Sequence, residues 1–324
     1  MTEIIKPSDD PWFNLAAEEF VVKHIQDEVF MLWKNANCIV VGKHQNTVAE
    51  VNMKFITENE IPVIRRISGG GTVFQGFGNI NYSFVTNTPE GQDKINFRKF
   101  TSPVIEYLNH LGVKAELTGK SNLTINGIKF SGNAAHLHKN RSLHHGTILF
   151  DADLELVNKA IDVNSENYLS KAITSNRAAI CNIRPMLETD MDIESFEKGF
   201  LNFVGKKFNL QQARSFTNSE FEQISKLAEE KYKSWEWNFG YSPNYVLHRK
   251  IDTINGQLNL SLKVSKGIII EAQSVPNPKE SAELCKALVN VPHKADLMAV
   301  AISTTQLFSQ SEQKVINITA NQLL

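Results

Sequence analysis

Little in this chain of 324 residues asks for a special environment. It holds three cysteines, Cys38, Cys181 and Cys285, widely spaced and with no Cys-x-x-Cys pair. That excludes a disulfide framework and a zinc site of paired thiolates, and each cysteine reads as a small buried apolar residue. No apolar run approaches the roughly 18 residues of a membrane span, and the opening Met-Thr-Glu-Ile-Ile-Lys-Pro-Ser-Asp-Asp has no secretory core. A cytoplasmic protein without a membrane partner is expected. Neither sign of charge dominates: 34 basic and 35 acidic residues leave a formal charge of -1, so no general basic field invites nucleic acid. Repeats and low-complexity tracts are absent. Also missing are the Gly-x-Gly-x-x-Gly dinucleotide fingerprint between strand and helix, the Gly-Lys-Ser/Thr phosphate loop and the Gly-x-Ser-x-Gly elbow of serine hydrolases.

What remains is an ordinary folded composition, 42% apolar and 21% charged, at a length that suits one large and one small domain. Within it one stretch stands out: Arg65-Arg66-Ile67-Ser68-Gly69-Gly70-Gly71-Thr72-Val73-Phe74-Gln75-Gly76-Phe77-Gly78-Asn79. Three consecutive glycines bare a piece of backbone and open φ values that other residues avoid. Two guanidinium groups beside bare amides make an anion-capable loop, with a glycine-rich surface turn and solvated arginines as the plain alternative.

A second stretch begins at Leu123-Thr124-Ile125-Asn126-Gly127-Ile128-Lys129-Phe130, which reads as a hairpin turned by Asn-Gly. The two-residue period puts Ile128 and Phe130 on the core side and Lys129 on the other. Lys129 precedes the small residues Ser131-Gly132-Asn133-Ala134, which leave room for a ligand, and a cation there can offset charge as a phosphoryl or acyl bond breaks. A polar loop is expected next, then a strand through Gly146-Thr147-Ile148-Leu149. His136, His138, His144 and His145 fall in that loop, but their spacing presents no single ligand face for a metal.

The remaining elements read in order. A helix starts at Asp10-Pro11, and Val29-Phe30-Met31-Leu32-Trp33 with Cys38-Ile39-Val40-Val41-Gly42 suggest a hairpin. Short helices are expected over 50–60 and 154–168, and a longer one over 97–111 ending at Gly112. Further helices fit 196–204 and 218–232. The aromatic segment Trp235 to Pro243 lacks periodicity and reads as a boundary and hinge. Beyond it come strands over 245–251, 258–265 and 267–274 and helices over 278–288 and 294–301. The fold class is α+β: a large domain over 1–240 with mixed or antiparallel sheets flanked by helices, and a small α+β domain over 241–324.

Several ordered motifs together resemble the lipoate-protein ligase A family: Asp10-Pro11-x-x-Asn14-Leu15-Ala16, Gly42-Lys43-x-Gln45-Asn46, Arg65-Arg66-x-Ser68-Gly69-Gly70-Gly71-Thr72-Val73-Phe74, Lys129-x-Ser131-Gly132, His145-Gly146-Thr147-Ile148-Leu149 and Ile173-Thr174-Ser175. The unit after Trp235-x-Trp237-Asn238-Phe239-Gly240 looks like the accessory domain of the long bacterial members. The resemblance implies a biotin/lipoyl ligase-like fold and a two-step reaction. Lipoate and ATP with Mg²⁺ give lipoyl-AMP, and the acyl group then passes to a lysine of an apo lipoyl carrier domain, on the E2 subunit of a 2-oxoacid dehydrogenase or on the glycine-cleavage H protein. It implies Arg66, Gly71, Thr72, Val73, Phe74 and Lys129 as nucleotide-binding, Lys129 as catalytic, and Ser68, Gly69, Gly70, Gly132, Ala134, His145, Gly146 and Thr147 as lipoyl-binding. No metal ligand is assigned.

Two departures stand beside these motifs. The related sequences usually carry His-Asp where this chain has Gln75-Gly76, and often Arg-Asn-Asp-Leu where it has Lys120-Ser121-Asn122-Leu123. A carboxylate at either place would suit Mg²⁺ or an incoming lysine. The alternatives are therefore a lipoyl or octanoyl transferase taking a pre-activated acyl donor, and a non-catalytic carrier-binding relative. The transferase needs an activated thiolate, for which the cysteine positions offer no local arrangement.

Overall fold

The computed structural model describes residues 1–5, 8–88, 95–161, 167–175, 178–253, 256–275 and 279–304. Strands β1–β15 and helices α1–α8 are numbered in chain order. The chain divides into two compact units: Met1–Lys43 with Pro62–Asn158 and Ser175–Lys233, and His44–Ile61 with Lys159–Thr174 and Ser234–Leu324.

The first unit is built on an eight-stranded mixed sheet in the order β12 (Gln211–Ser215), β1 (Thr2–Ile5), β2 (Val29–Trp33), β6 (Asn79–Asn87), β10 (Arg141–Leu149), β9 (Ile128–His138), β8 (Asn122–Ile125), β7 (Ala115–Thr118). A three-stranded sheet, β4 (Val63–Arg65), β3 (Cys38–Val41), β5 (Val73–Gln75), accompanies it. The expected hairpin of β2 and β3 is therefore corrected. Both are strands, but β2 pairs with β1 and β6 while β3 pairs with β4 and β5. Local pattern identifies a strand; its partner is chosen by long-range packing.

Helix α1 (Pro11–His24) starts where the sequence says, with Asp10 accepting from the Trp12 and Phe13 amides and Pro11 in the first turn. It is buried nearly all round. One face of the large sheet carries the aromatic core, in which Phe84, Phe130 and Tyr82 meet Phe100 of α3 (Phe97–His110) and Phe200 of α5 (Ile193–Phe208). Alternation on β10 sends His144 to that face, stacked on Phe100 at 4.3 Å, and His145 to the other, where it meets Glu18 of α1. The candidate site lies on the α1 face.

The expected polar loop between Ser131 and Phe150 is also corrected: β9 and β10 run unbroken to a two-residue turn, Lys139-Asn140, with Lys139 at φ +54°. All nine residues of β10 are buried, so histidines that look like loop residues by polarity are strand residues. The Asn126-Gly127 turn is as expected, with φ +51° and +80°. Gly112 ends α3 at φ +81°. α6 (Asn218–Leu227) continues into a π-helical turn over Ala228–Tyr232.

The second unit holds an antiparallel sheet, β11 (Tyr168–Ser170), β13 (Tyr245–Thr253), β14 (Gly256–Ser265), β15 (Ile268–Val275), with α2 (Met53–Glu58), α7 (Lys279–Leu288) and α8 (Ala295–Ser303). Leu260, Leu262, Ile269, Leu288 and Met298 form its core. The helix expected over 154–168 is shorter: α4 covers Leu154–Ile161, residues 162–166 lie outside the described residues, and Tyr168 begins β11. Residues 235–243, expected to be aperiodic, hold a π-helical turn over Glu236–Gly240. Pro278, placed in the expected helix over 278–288, lies outside the described residues.

Candidate active site

The glycine loop is organised by Arg66, which is 6% exposed. Its Nε donates to Ser68 Oγ at 2.9 Å, Nη1 to the Val40 carbonyl at 3.1 Å, and Nη2 to the Gly69 and Gly71 carbonyls at 2.7 Å each. With those carbonyls turned toward the guanidinium, peptide planarity points the Gly70 and Thr72 N–H groups away from it. The Thr72 amide meets Ser175 Oγ at 2.9 Å. Gly70 sits at φ +87°, and a Cβ on it would lie 3.0 Å from Arg66 Nη2, so a side chain is excluded by both conformation and space. Arg65 is fully buried and donates to the Gly42 and Lys43 carbonyls. The plain alternative of a surface turn with solvated arginines is thereby excluded.

Lys129 reaches this loop through an irregularity that the two-residue period does not contain. Along β9, Ser131 pairs with Leu123 and Lys129 with Thr124, leaving Phe130 as an extra residue. Lys129 and Gly132 are three positions apart and would face opposite ways on a regular strand. The bulge brings them to one face, where a Cβ on Gly132 would lie 3.1 Å from Lys129 Nζ. Phe130 is buried in the aromatic core as expected, whereas Ile128, expected with it, is 39% exposed. Burial, and then the nearby Arg66 cation, lower the Lys129 pKa. Burial likewise lowers that of Arg66 to about 10, opposed by Glu18.

Beside the cations lies a buried polar chain. Ser68 Oγ accepts from Arg66 and is 2.6 Å from His145 Nε2; His145 Nδ1 is 2.9 Å from Glu18 Oε1, which also accepts from Ser83 Oγ. The Glu18 carboxylate accepts, so Nδ1 of His145 carries the proton facing it; in that tautomer Nε2 accepts from the Ser68 hydroxyl. Trp33 Nε1 closes the chain on Ser83 at 3.0 Å.

The other sequence candidates divide between the two faces. Gly132, Ala134, His145 and Thr147 share the site face, β9 and β10 pairing Gly132 with Thr147 and Ala134 with His145. Ala134 Cβ lies 3.7 Å from where a Gly70 Cβ would be. Gly146 belongs to the opposite, core face, where a Cβ would overlap Asn133 Oδ1 and crowd Tyr82, so its small size serves the Tyr82–Asn133 hydrogen bond. Gly69 is unconfined, nothing lying within 4 Å of its would-be Cβ. Val73, Phe74 and Gln75 form β5. Sequence reading missed Glu18, Trp33 and Ser83, and named Ser175 in a motif without giving it a role. Glu18 carries a usable signal: it follows Asn14 by four residues, which places both on one face of α1.

Cys181 lies outside the motifs, yet its amide donates to the Lys129 carbonyl at 2.9 Å. Its thiol is directed elsewhere, 3.8 Å from the Ile128 carbonyl and at the aromatic core, and burial raises its pKa. Cys38 is pushed up to about 12 by burial, with Asn35 opposing. Neither has the electropositive surroundings of an activated thiolate.

Residues 10–204 match the family model described as the lipoyl protein ligase A/B catalytic domain. Lipoate–protein ligase 1 of Staphylococcus aureus is 36% identical over 304 residues, 92% of either chain. Two solved structures share the fold at 20% identity. A lipoate-protein ligase A bound with ATP superposes with a TM-score of 0.63 over 74% of this chain and 100% of its own. The other is a bipartite lipoate protein ligase of Thermoplasma acidophilum, studied with its E2 lipoyl domain, with a TM-score of 0.64 over 74% of this chain and 96% of its own.

Proposed function

Since the chain belongs to the lipoyl protein ligase A/B catalytic-domain family, we propose that it is an ATP-dependent, AMP-forming lipoate–protein ligase. In the first step a lipoate carboxylate oxygen attacks the α-phosphorus of ATP, the bond to pyrophosphate breaks, and lipoyl-AMP forms. In the second, the neutral amine of a carrier lysine attacks the acyl carbon, AMP leaves, and the amine proton is lost.

One observation carries this reading: two cations, the half-buried Lys129 and the buried Arg66, converge on one glycine loop. Two crowded cations are unfavourable alone and are relieved by an anion between them. An acyl-phosphate is such an anion, and the Lys129 ammonium beside its leaving oxygen stabilises the charge that develops as the anhydride forms and breaks. Arg66 contributes chiefly by turning the loop carbonyls inward, so that the Gly70 amide faces a ligand while the Thr72 amide is held by Ser175. Val73, Phe74 and Ala134 offer apolar surface to the acyl chain, and Ser68 and His145 a polar wall.

Among the described residues no group of three or more His, Cys, Asp or Glu side chains could hold a metal ion. We take Mg²⁺ to be the counter-ion carried on the ATP phosphates. We take the carriers to be apo lipoyl domains of E2 subunits and the glycine-cleavage H protein, and the compartment to be the cytoplasm. Among the described residues no helix is long and apolar enough to cross a membrane. We assign lipoate and ATP binding to the domain expected over 1–240, although its residues 44–61, 159–174 and 234–240 group with the second compact unit, and the accessory role to 241–324.

ATP–pyrophosphate exchange measured with and without lipoate tests the proposal. Lipoate-dependent exchange is expected. A folded protein that shows none, yet transfers a pre-formed acyl group, overturns it in favour of the transferase. The direction of the Cys181 thiol weighs against that outcome.

A further inference from the structure

A second buried hydrogen-bond chain crosses the first unit. Asn14 Nδ2 of α1 donates to Asn35 Oδ1 at 2.8 Å, Asn35 Nδ2 to Gln75 Oε1 at 2.7 Å, Gln75 Nε2 to Thr147 Oγ1 at 3.0 Å, and Thr147 Oγ1 to Asn81 Oδ1 at 2.8 Å. The five side chains are at most 7% exposed. Every donor points the same way, so each bond polarises the next. The chain links α1, the β2–β3 connection, the last residue of β5, and strands β10 and β6. It thus joins the three-stranded sheet, whose β5 leaves the glycine loop, to the site face of the large sheet.

We infer that Gln75 is the positioning residue that fixes the glycine loop's exit strand against the acyl-binding strand β10. Gln75 is the member that spans the two sheets, and it needs one acceptor and one donor at once. A carboxamide offers both at every pH. An imidazole offers both only when neutral; a carboxyl group offers both only when protonated. Gly76 belongs to the same arrangement, because a Cβ there would overlap Asn37 Oδ1. The Gln75-Gly76 departure is, on this account, a link between sheets that does not titrate.

The clamp is tested first by hydrogen–deuterium exchange, which is independent of the ligase reading. Gln75→Met, similar in length but without an amide, should speed exchange of the amides of Thr72 to Phe74 about tenfold while α5 stays as protected as in the parent. Unchanged exchange at Thr72 to Phe74 overturns the inference. The role in catalysis rests on the proposed function and is read by lipoate-dependent pyrophosphate exchange between about pH 5.5 and about pH 8.5. Relative to the parent, kcat/KM for ATP should fall about tenfold with rising pH in Gln75→Glu, and with falling pH in Gln75→His. Two flat ratios, with the parent active, overturn the positioning role. A parent without exchange would sink the ligase reading and leave the amide-exchange result to decide the clamp. If the charged variants do not fold, Thr147→Val and Thr147→Ser replace them: valine should reproduce the loosened loop and serine restore it, and equal behaviour of the two overturns the inference.

Discussion

Ser68 and His145 stand 77 positions apart, yet Ser68 Oγ and His145 Nε2 meet at 2.6 Å, with Glu18 on the far side of the imidazole. Arg66, Ser68, His145 and Glu18 thus form one hydrogen-bonded chain with a cation at one end and a carboxylate at the other. Glu18→Gln should therefore destabilise the first unit by about 3 kcal/mol, the order expected for breaking a buried charge pair. Urea unfolding of parent and variant measures it.

Lys129→Ala should lower modification of an apo carrier domain at least about a hundredfold, the scale of losing one electrostatic stabiliser. The fold should survive, because the β9 bulge and its backbone pairing do not involve the ammonium. Intact-mass analysis of the carrier, with circular dichroism of the variant, decides between loss of chemistry and loss of structure.

Cys181→Ala should leave carrier modification within about threefold of the parent, since the thiol lies toward the core and is held protonated by burial. Abolished activity in a folded variant would restore the transferase mechanism.

Glu19 supplies an acid-sensitive fastening. Burial raises its pKa, but hydrogen bonds from Lys23, Lys231 and Tyr232 outweigh this and hold it at about 2, below the usual 4.5. A depressed carboxyl group contributes stability that is fully present above pH 4.5 and is lost as pH falls toward 2. The contribution is about 3 kcal/mol by linkage. Glu19→Gln should accordingly be less stable at neutral pH and lose less of its remaining stability below pH 4.5. Equal slopes for parent and variant would count against the fastening.

Gly78→Ala should destabilise by about 2–3 kcal/mol, the scale of overpacking, because the added methyl overlaps the Asp151 carbonyl, a backbone atom that cannot swing aside. Gly69→Ala, in open space and without positive φ, should stay within about 0.5 kcal/mol. Thermal unfolding of the pair separates a glycine required by the backbone from one whose smallness serves only a ligand.

Features governed by neighbours in sequence were legible. Asp10-Pro11 opening a helix, Asn126-Gly127 turning a hairpin and Gly112 closing α3 depend on a few adjacent residues, and the glycine loop with Lys129 could be singled out by chemistry. What escaped was decided at long range. β2 and β3 are strands whose partners lie elsewhere, and His144 and His145 belong to a strand because Glu18, Ser68 and the Asn96 amide satisfy them inside the fold. Gln75-Gly76 looked like an impairment beside the site, whereas the amide at Gln75 is fully engaged by Asn35 and Thr147.

The unpaired Phe130 separates two duties that a regular strand would tie together. Anchoring belongs to its ring in the aromatic core, and the aim of the Lys129 ammonium belongs to the extra length of backbone. Conservative change of the ring therefore alters how firmly the strand is held without redirecting the cation. Deleting one residue between Lys129 and Gly132 would do the reverse: the Asn126-Gly127 turn could still form, but the ammonium would point into the oily side of the sheet. The active site is thus exposed to loss by a reading-frame-preserving deletion of a single codon in a place where no catalytic residue is removed.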